Sequence, residues 1–164
     1  MKKFIGIMML VMLMTSCSIK LSEQPPKTVT SPQYLSLYEQ ARNGDIGALK
    51  KIGNCYEYGL NGFPKSARKA MDCYENAALA GDVYSARRVG YAYLNGEGRF
   101  EDDSDARKFL QMAAVQGDAT AAKGIDLLEA KIRKREAEAA QRRYNKQMRE
   151  AQQANMIFNA LMYL

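Results

Sequence analysis

The chain has 164 residues, of which 47% are hydrophobic and 26% charged, a composition typical of one globular domain rather than of a disordered chain. It contains no histidine, which removes the commonest general base, the Ser-His and Cys-His nucleophile pairs and the commonest metal ligand. The formal charge of +6 says little about partners, because two of the lysines precede an apolar leader. We therefore predict a protein that is not an enzyme and holds no metal or cofactor.

Residues 1–16 are predicted to be a signal peptide. Two lysines precede an apolar run from Phe4 to Met14, which is too short to span a bilayer as a permanent helix. The run closes with Leu13-Met14-Thr15-Ser16-Cys17, which resembles the lipobox of bacterial lipoproteins. That resemblance implies cleavage before Cys17, with acyl chains such as palmitate on this cysteine. The alternatives are a secreted protein with a chance cysteine here, and an uncleaved anchor.

The resemblance also carries an expectation about location. Several acyl chains hold a protein stably on a membrane. Ser18 stands where an aspartate favours retention in the inner membrane, so we expect the outer membrane, facing the periplasm. Residues 17–32 are polar and contain three prolines, which predicts a lipidated cysteine followed by a flexible, extended tether.

An internal repeat dominates the rest of the sequence. The pair Gly44-Asp45 recurs as Gly81-Asp82 and Gly117-Asp118, at spacings of 37 and 36 residues. The columns around this pair agree as well. The repeat-core positions predicted from them are Ile52, Gly53, Tyr56, Gly81, Val89, Gly90, Tyr93 and Gly117. A period of this length is typical of stacked helical repeats.

Each repeat predicts two helices. Apolar residues at helical spacing place the first pair over about 46–58 and 66–81, and the second pair over about 83–94 and 104–115. Glycines stand where these helices should stop. A further helix from residue 33 to 42 is predicted to cap the stack. The predicted fold is all-α, a short α-solenoid of helix-turn-helix repeats followed by a long C-terminal helix.

These columns resemble the Sel1-like repeat, a relative of the tetratricopeptide repeat. The resemblance covers residues 33–128, as a capping helix, two full repeats and a partial third. It departs from the family pattern at the aromatic pair, where Cys73-Tyr74 and Phe109-Leu110 stand. The family implies a solenoid that binds a protein or peptide partner, often as an adaptor. Two repeats favour a peptide or a helix as the ligand, and export argues against nucleic acid.

Four side chains in the repeats are individual candidates. Export to an oxidising compartment predicts a disulfide between Cys55 and Cys73, as occurs between helices in some Sel1-like proteins. The alternative is a pair of buried, apolar cysteines. Tyr58 and Tyr91 are candidates for the partner-binding face, because solenoid grooves commonly use exposed tyrosine.

Two groups of acidic residues are candidate metal or catalytic sites. The run 101–105 lacks the late glutamate of an EF-hand loop, and an N-cap at Asp103 or Ser104 accounts for it. A hydrolase that uses carboxylates alone, such as Glu57 with Asp82, is the enzyme alternative. Capping and surface roles explain both residues equally well.

Residues 129–164 abandon the repeat pattern and form a charged helical arm. The absence of glycine and proline predicts a helix to about Ala154, with a thin apolar stripe that includes Tyr144 and Met148. The arm is a solvated helix, a coiled-coil segment or a basic surface for anionic lipid. Residues 156–164 are strongly apolar. The alternatives for these residues are that they fold back on the solenoid, that they pair with another copy in a homo-oligomer, or that they dock on a partner or a membrane surface.

Together these features predict a lipid-anchored adaptor of the cell envelope. The alternative is a structural lipoprotein that self-associates through its C-terminal helix. The sequence does not name the partner.

Overall fold

A computed structural model describes residues 21 and 24–163 of the chain. The predicted signal peptide and Cys17 lie outside these residues. The regular structure that it describes consists of six helices, which confirms the all-α fold class. They are α1 Pro32–Arg42, α2 Ile46–Tyr58, α3 Ala67–Leu79, α4 Val83–Asn95, α5 Asp103–Ala114 and α6 Ala119–Met162.

The repeated Gly-Asp pair marks the start of the first helix of each unit. Asp45 and Asp82 cap α2 and α4 by accepting hydrogen bonds from backbone N–H groups three residues ahead, at 2.6 and 2.8 Å. Asp118 does the same at the start of α6. Gly81, immediately before one of these caps, has φ +97°, a conformation that favours glycine.

The second helices are capped by different residues. Ser66 caps α3 by accepting a hydrogen bond from Lys69 N. Asp102 caps α5 by accepting one from Asp105 N at 2.9 Å, so the N-cap expected at Asp103 or Ser104 was wrong by one or two residues. Asp103 lies in the first turn of α5, where the helix dipole favours a carboxylate.

The chain divides into two compact units, which meet between Gly124 and Ile125. In the first unit α2 packs on α3 and α4 packs on α5, and the hairpins are joined by contacts between α3 and α4 and between α1 and α2. The core of this unit is made of fully buried side chains from successive helices. The largest are Tyr38, Tyr56, Tyr74, Phe109, Leu49, Ile52, Met71 and Leu110.

The last residues of the predicted tether are part of the first unit. Val29 is 4% exposed, and the Thr28 hydroxyl donates a hydrogen bond to the Gly62 carbonyl in the loop between α2 and α3. A β-carbon at Gly62 would collide with the backbone of Thr28 and Val29. The segment just before α1 is therefore packed against the first repeat.

The second unit consists of the long helix beyond Gly124. α6 has 44 residues and continues to Met162, farther than the predicted end near Ala154. Exposed ion pairs one turn apart, such as Lys146 with Glu150, occur along it. From Gln141 to Tyr163 every side chain is exposed.

Candidate functional site

Two glycines allow the helices of each repeat to approach closely. A β-carbon at Gly53 would lie 2.8 Å from the ring of Tyr74 on α3, and one at Gly90 would lie 2.7 Å from Leu110 on α5. The two glycines therefore accept the large side chains at equivalent positions of the facing helices. Gly117, like Gly81, lies in the turn between repeats with positive φ.

The other repeat-core residues surround these contacts. Ile52 and Val89 are fully buried, and Tyr56 is buried with its ring 5.0 Å from the ring of Phe63. Tyr93 is half-buried and stacks on Phe109 at a ring distance of 5.9 Å. These contacts between aromatic rings stabilise each hairpin near its turn.

Equivalent ion pairs join neighbouring repeats. Lys50 on α2 binds the cap residue of the next repeat, Asp82, at 2.9 Å, and Arg87 on α4 binds the following cap residue, Asp118, at 3.3 Å. Burial alone would raise the pKa of Asp82, but hydrogen bonds from Ser85 and Lys50 outweigh it and hold that pKa below its ordinary value. Asp82 is thus an ionised structural group near neutral pH.

Glu57 is also held in a structural network. It accepts hydrogen bonds from the hydroxyl of Tyr74, at 2.8 Å, and from the guanidinium of Arg88 on the next repeat. Both carboxylates of the hydrolase alternative therefore hold helices together. In the part of the chain that the structure describes, no three Cys, Asp or Glu side chains are grouped as metal ligands.

A cleft of about 540 Å³, here called the basic cleft, lies between α1, α2 and α4. Its lining residues are polar, aromatic, aliphatic or basic, and none of them is a carboxylate. They are Gln33, Tyr34, Leu37, Lys50, Lys51, Asn54, Cys55, Leu60, Asn61, Tyr74 and Tyr84. A surface with this composition suits a ligand that carries negative charge beside an apolar group.

Tyr84 has the most exposed aromatic ring of the basic cleft, with 41% of the residue accessible to solvent. The ammonium of Lys50 lies 5.6 Å from the centre of this ring, and the guanidinium of Arg87 lies 5.5 Å from it. Two cations thus fix the orientation of an exposed aromatic side chain. Lys51 is exposed at the same cleft.

A second cleft, of about 700 Å³, lies at the turn side of the hairpins. Arg99 lines it and binds both Asp72 and Glu75 at 2.8 Å, so the charges here are largely satisfied within the protein. Phe100, beside it, is 94% exposed. Because its charged groups bind each other, this cleft offers a ligand less than the basic cleft does.

The two tyrosines predicted for partner binding lie elsewhere. Tyr58 is exposed but is not among the residues that line either cleft. The hydroxyl of Tyr91 donates a hydrogen bond to the Thr120 carbonyl at 3.0 Å, and its ring lies 3.1 Å from the position of a β-carbon on Gly124. Tyr91 therefore packs against the first turns of α6.

Sequence reasoning missed the aromatic residues of the basic cleft. Tyr34 and Tyr84 lie on helices that are separated by α2 and α3 along the chain. Tyr84 is three residues before Arg87 and seven before Tyr91, which is helical spacing on one face of α4. This spacing was the feature of the sequence that could have identified Tyr84 as part of a binding surface.

The two cysteines are buried free thiols in the structure. The disulfide predicted between Cys55 and Cys73 is therefore not formed there, and the alternative of buried apolar cysteines describes both residues. Burial raises the pKa of Cys73 from 9.0 to about 12, with smaller electrostatic contributions from Asp72 and Cys55. A thiol with this pKa stays protonated and unreactive at neutral pH.

Comparison with protein families identifies the repeat. Residues 47–82 and 83–118 each match the family model of the Sel1 repeat. These two segments are similar to Sel1 repeats and together make up less than half of the chain. Sel1 repeats generally mediate protein–protein interactions. No curated protein sequence matches the chain.

Two solved structures are similar to part of this chain. A Sel1 repeat protein from Oxalobacter formigenes is 28% identical over 56% of this chain, with a TM-score of 0.53. A protective antigen present in uropathogenic Escherichia coli strains, which displays an SLR fold, is 28% identical over 52% of the chain with a TM-score of 0.48. This chain spans only 26% and 18% of the lengths of those two proteins.

Over the residues that the structure describes, the helices are too short or too polar to cross a membrane.

Proposed function

We propose that the chain is a lipid-anchored adaptor of the cell envelope, which holds an acidic peptide or helix of a partner protein in the basic cleft. The observation that carries the proposal is the composition of this cleft. Two lysines and several aromatic rings line it, and no carboxylate does. Asp82 lies beside it, but that carboxylate is bound by Lys50 and by the start of α4.

The dimensions of the cleft favour a segment rather than a folded domain as the ligand. It lies across helices of neighbouring hairpins, which the Lys50–Asp82 ion pair holds together. A cleft of this volume accommodates a few side chains. Lys51 then attracts the negative charge of the segment, and the exposed face of Tyr84 contacts an apolar side chain beside it.

Peptide binding tests this role. We would measure fluorescence anisotropy of the full chain with a peptide of glutamate and leucine, and with a matched peptide in which glutamine replaces each glutamate. The acidic peptide should bind at least tenfold more tightly, and salt should weaken it because the contacts are exposed. Lys51→Glu should abolish the preference, whereas Lys123→Glu, at an exposed position of α6, should preserve it. Equal affinity for both peptides contradicts the proposal.

The anchor is a separate part of the proposal and rests on the apolar run that ends in Thr15-Ser16-Cys17. Cys17 would carry the acyl chains, and the outer membrane facing the periplasm is the proposed location. Cells that produce the chain would be labelled with a radioactive fatty acid. The wild-type chain should incorporate label and Cys17→Ser should not, so equal incorporation in the two proteins argues against lipidation.

Self-association through α6 is the second candidate role. It is favoured by the exposed apolar side chains near the end of this helix, among which Phe158 and Leu161 are more than half exposed. A soluble helix rarely leaves so much apolar surface uncovered.

A further inference from the structure

The C-terminal part of α6 presents a continuous apolar stripe that nothing covers within the second unit. Its large members are all exposed by 40% or more. They are Tyr144, Met148, Ile157, Phe158, Leu161 and Met162. The positions of the stripe follow one another from Ala137 to Leu161 at alternating spacings of three and four residues. Of these positions only Gln147 is polar. That spacing is the heptad pattern of a coiled coil.

The sizes of the side chains along this stripe alternate in pairs. Two alanines are followed by two larger residues, and the sequence then repeats this order. The small members are Ala137, Ala140, Ala151 and Ala154, and the larger members are Tyr144, Gln147, Phe158 and Leu161. We call these eight residues the seam.

When the seam is read in the opposite direction, a large side chain stands wherever the forward direction has an alanine, and an alanine stands wherever it has a large side chain. In an antiparallel pair centred at Arg149, Ala137 faces Leu161 of a second copy, and Ala140 faces Phe158 of that copy. By the same register Tyr144 faces Ala154, and Gln147 faces Ala151. Every layer then contains one alanine and one larger side chain. The two helices can therefore keep one separation along the whole seam.

A parallel pair in register lacks this match. It would place Ala137 against Ala137 and Ala140 against Ala140, and then Tyr144 against Tyr144. Alanine layers bring helices closer together than tyrosine or phenylalanine layers do, within the usual range of about 8–10 Å. Successive layers would therefore demand different separations over one stretch of helix.

The charges beside the seam are compatible with the antiparallel pair. Near its centre the two Glu150 side chains lie along one edge of the seam, and the two Met148 side chains lie along the other edge. Lys146 lies 3.8 Å from Glu150 on its own helix, so each of these carboxylates has a cation beside it. Ile157 and Met162 extend the apolar contact on either side of Phe158 and Leu161.

We propose that residues 137–161 of two copies of this chain pair as an antiparallel coiled coil, in the register that places Ala137 beside Leu161 and Tyr144 beside Ala154. The proposal rests on the second candidate role and is independent of the basic cleft. It names the second copy as the occupant of the stripe, because a reversed copy of this sequence supplies a complementary size at each layer.

Cysteine cross-linking in cells that produce the full chain tests the register. One copy carries Ala137→Cys and a differently tagged copy carries Leu161→Cys, and a short bis-maleimide is added. The mixed pair should cross-link at least tenfold above the parent chain. Neither variant alone should link to itself, because in the antiparallel pair its two copies are about 36 Å apart along the axis.

The matched control uses Arg142→Cys with Met156→Cys. These two positions have the same height in the proposed register but lie on the outer side of the helices, so their mixture should not cross-link above the parent. Self-linking of Ala137→Cys and of Leu161→Cys would overturn the antiparallel orientation and leave self-association standing. Absence of any cross-link, with a monomeric mass for the detergent-extracted chain, would overturn both and point to a membrane or another protein as the occupant.

Discussion

Replacing Gly90 with alanine should destabilise the first unit, although alanine is the better helix former. The added β-carbon would lie 2.7 Å from Leu110 Cγ and 2.9 Å from the Leu110 backbone nitrogen. Because a backbone atom cannot rotate away, α4 and α5 must move apart. Overpacking costs about 1–3 kcal/mol, and the gain in helix propensity returns about 1 kcal/mol. With a backbone clash we take the upper end, a net loss of about 2 kcal/mol.

Thermal unfolding followed by circular dichroism measures this loss. For a unit of about 100 residues, 2 kcal/mol lowers Tm by about 8–16 °C. Gly47→Ala is the matched control, because Gly47 is exposed within α2 and its added β-carbon approaches only Asp45 Oδ1, at 3.3 Å. The control should melt at the wild-type temperature or above it. If Gly90→Ala also melts there, the close approach of α4 and α5 is refuted.

Three further predictions follow from the charges and thiols of the first unit. In protein kept reduced, the free energy of unfolding should fall between pH 9 and pH 12. The reason is that the unfolded chain loses the Cys73 proton near the ordinary pKa of 9.0, whereas the folded chain holds this proton up to about pH 12. Urea titrations of Cys73→Ala should show a smaller fall. Thiol counting after denaturation without reductant should find both Cys55 and Cys73 free, since both are buried free thiols in the structure, and loss of both thiols would show that a disulfide forms instead. Arg99→Met should destabilise the unit by about 2–4 kcal/mol in urea, since it removes the guanidinium that binds Asp72 and Glu75, whereas Lys123→Met should have no effect.

The repeat itself was predictable from local chemistry. Asp45 and Asp82 are strong N-caps at the start of apolar, helically spaced segments, and the glycines before them favour the turn that each repeat requires. Each of these signals lies within a few residues of the structure that it produces. The helix boundaries in the first unit therefore follow closely from the sequence.

Other features depended on contacts that a single segment does not reveal. The run from Asp102 to Asp105 contains four good capping residues, and in the structure Asp102 is the one that caps α5. Tyr34 and Tyr84 meet at the basic cleft only because α1 and α4 both lie beside α2. Tyr91 was judged by its residue type, whereas its neighbours Thr120 and Gly124 determine that it packs against α6.

The packing of Val29 shows how the first repeat is closed on its N-terminal side. In the second repeat the loop glycine, Gly98, lies against the backbone of Ala67 and Arg68, at the start of the preceding second helix. In the first repeat Gly62 occupies the equivalent position and lies against Thr28 and Val29, just before α1. α1 with the segment before it therefore serves as the second helix of a preceding repeat.

Shortening Val29 should consequently open the first repeat. Val29→Ala removes buried methyl groups from a position that is 4% exposed, which costs about 1–2 kcal/mol. The loss should expose the bond after Lys27 to trypsin, while Thr30→Ala, at an exposed neighbouring position, should leave cleavage unchanged. Mass spectrometry of timed digests would measure both rates. Equal cleavage after Lys27 in the two variants would show that the segment does not close the repeat, and that α1 alone performs this role.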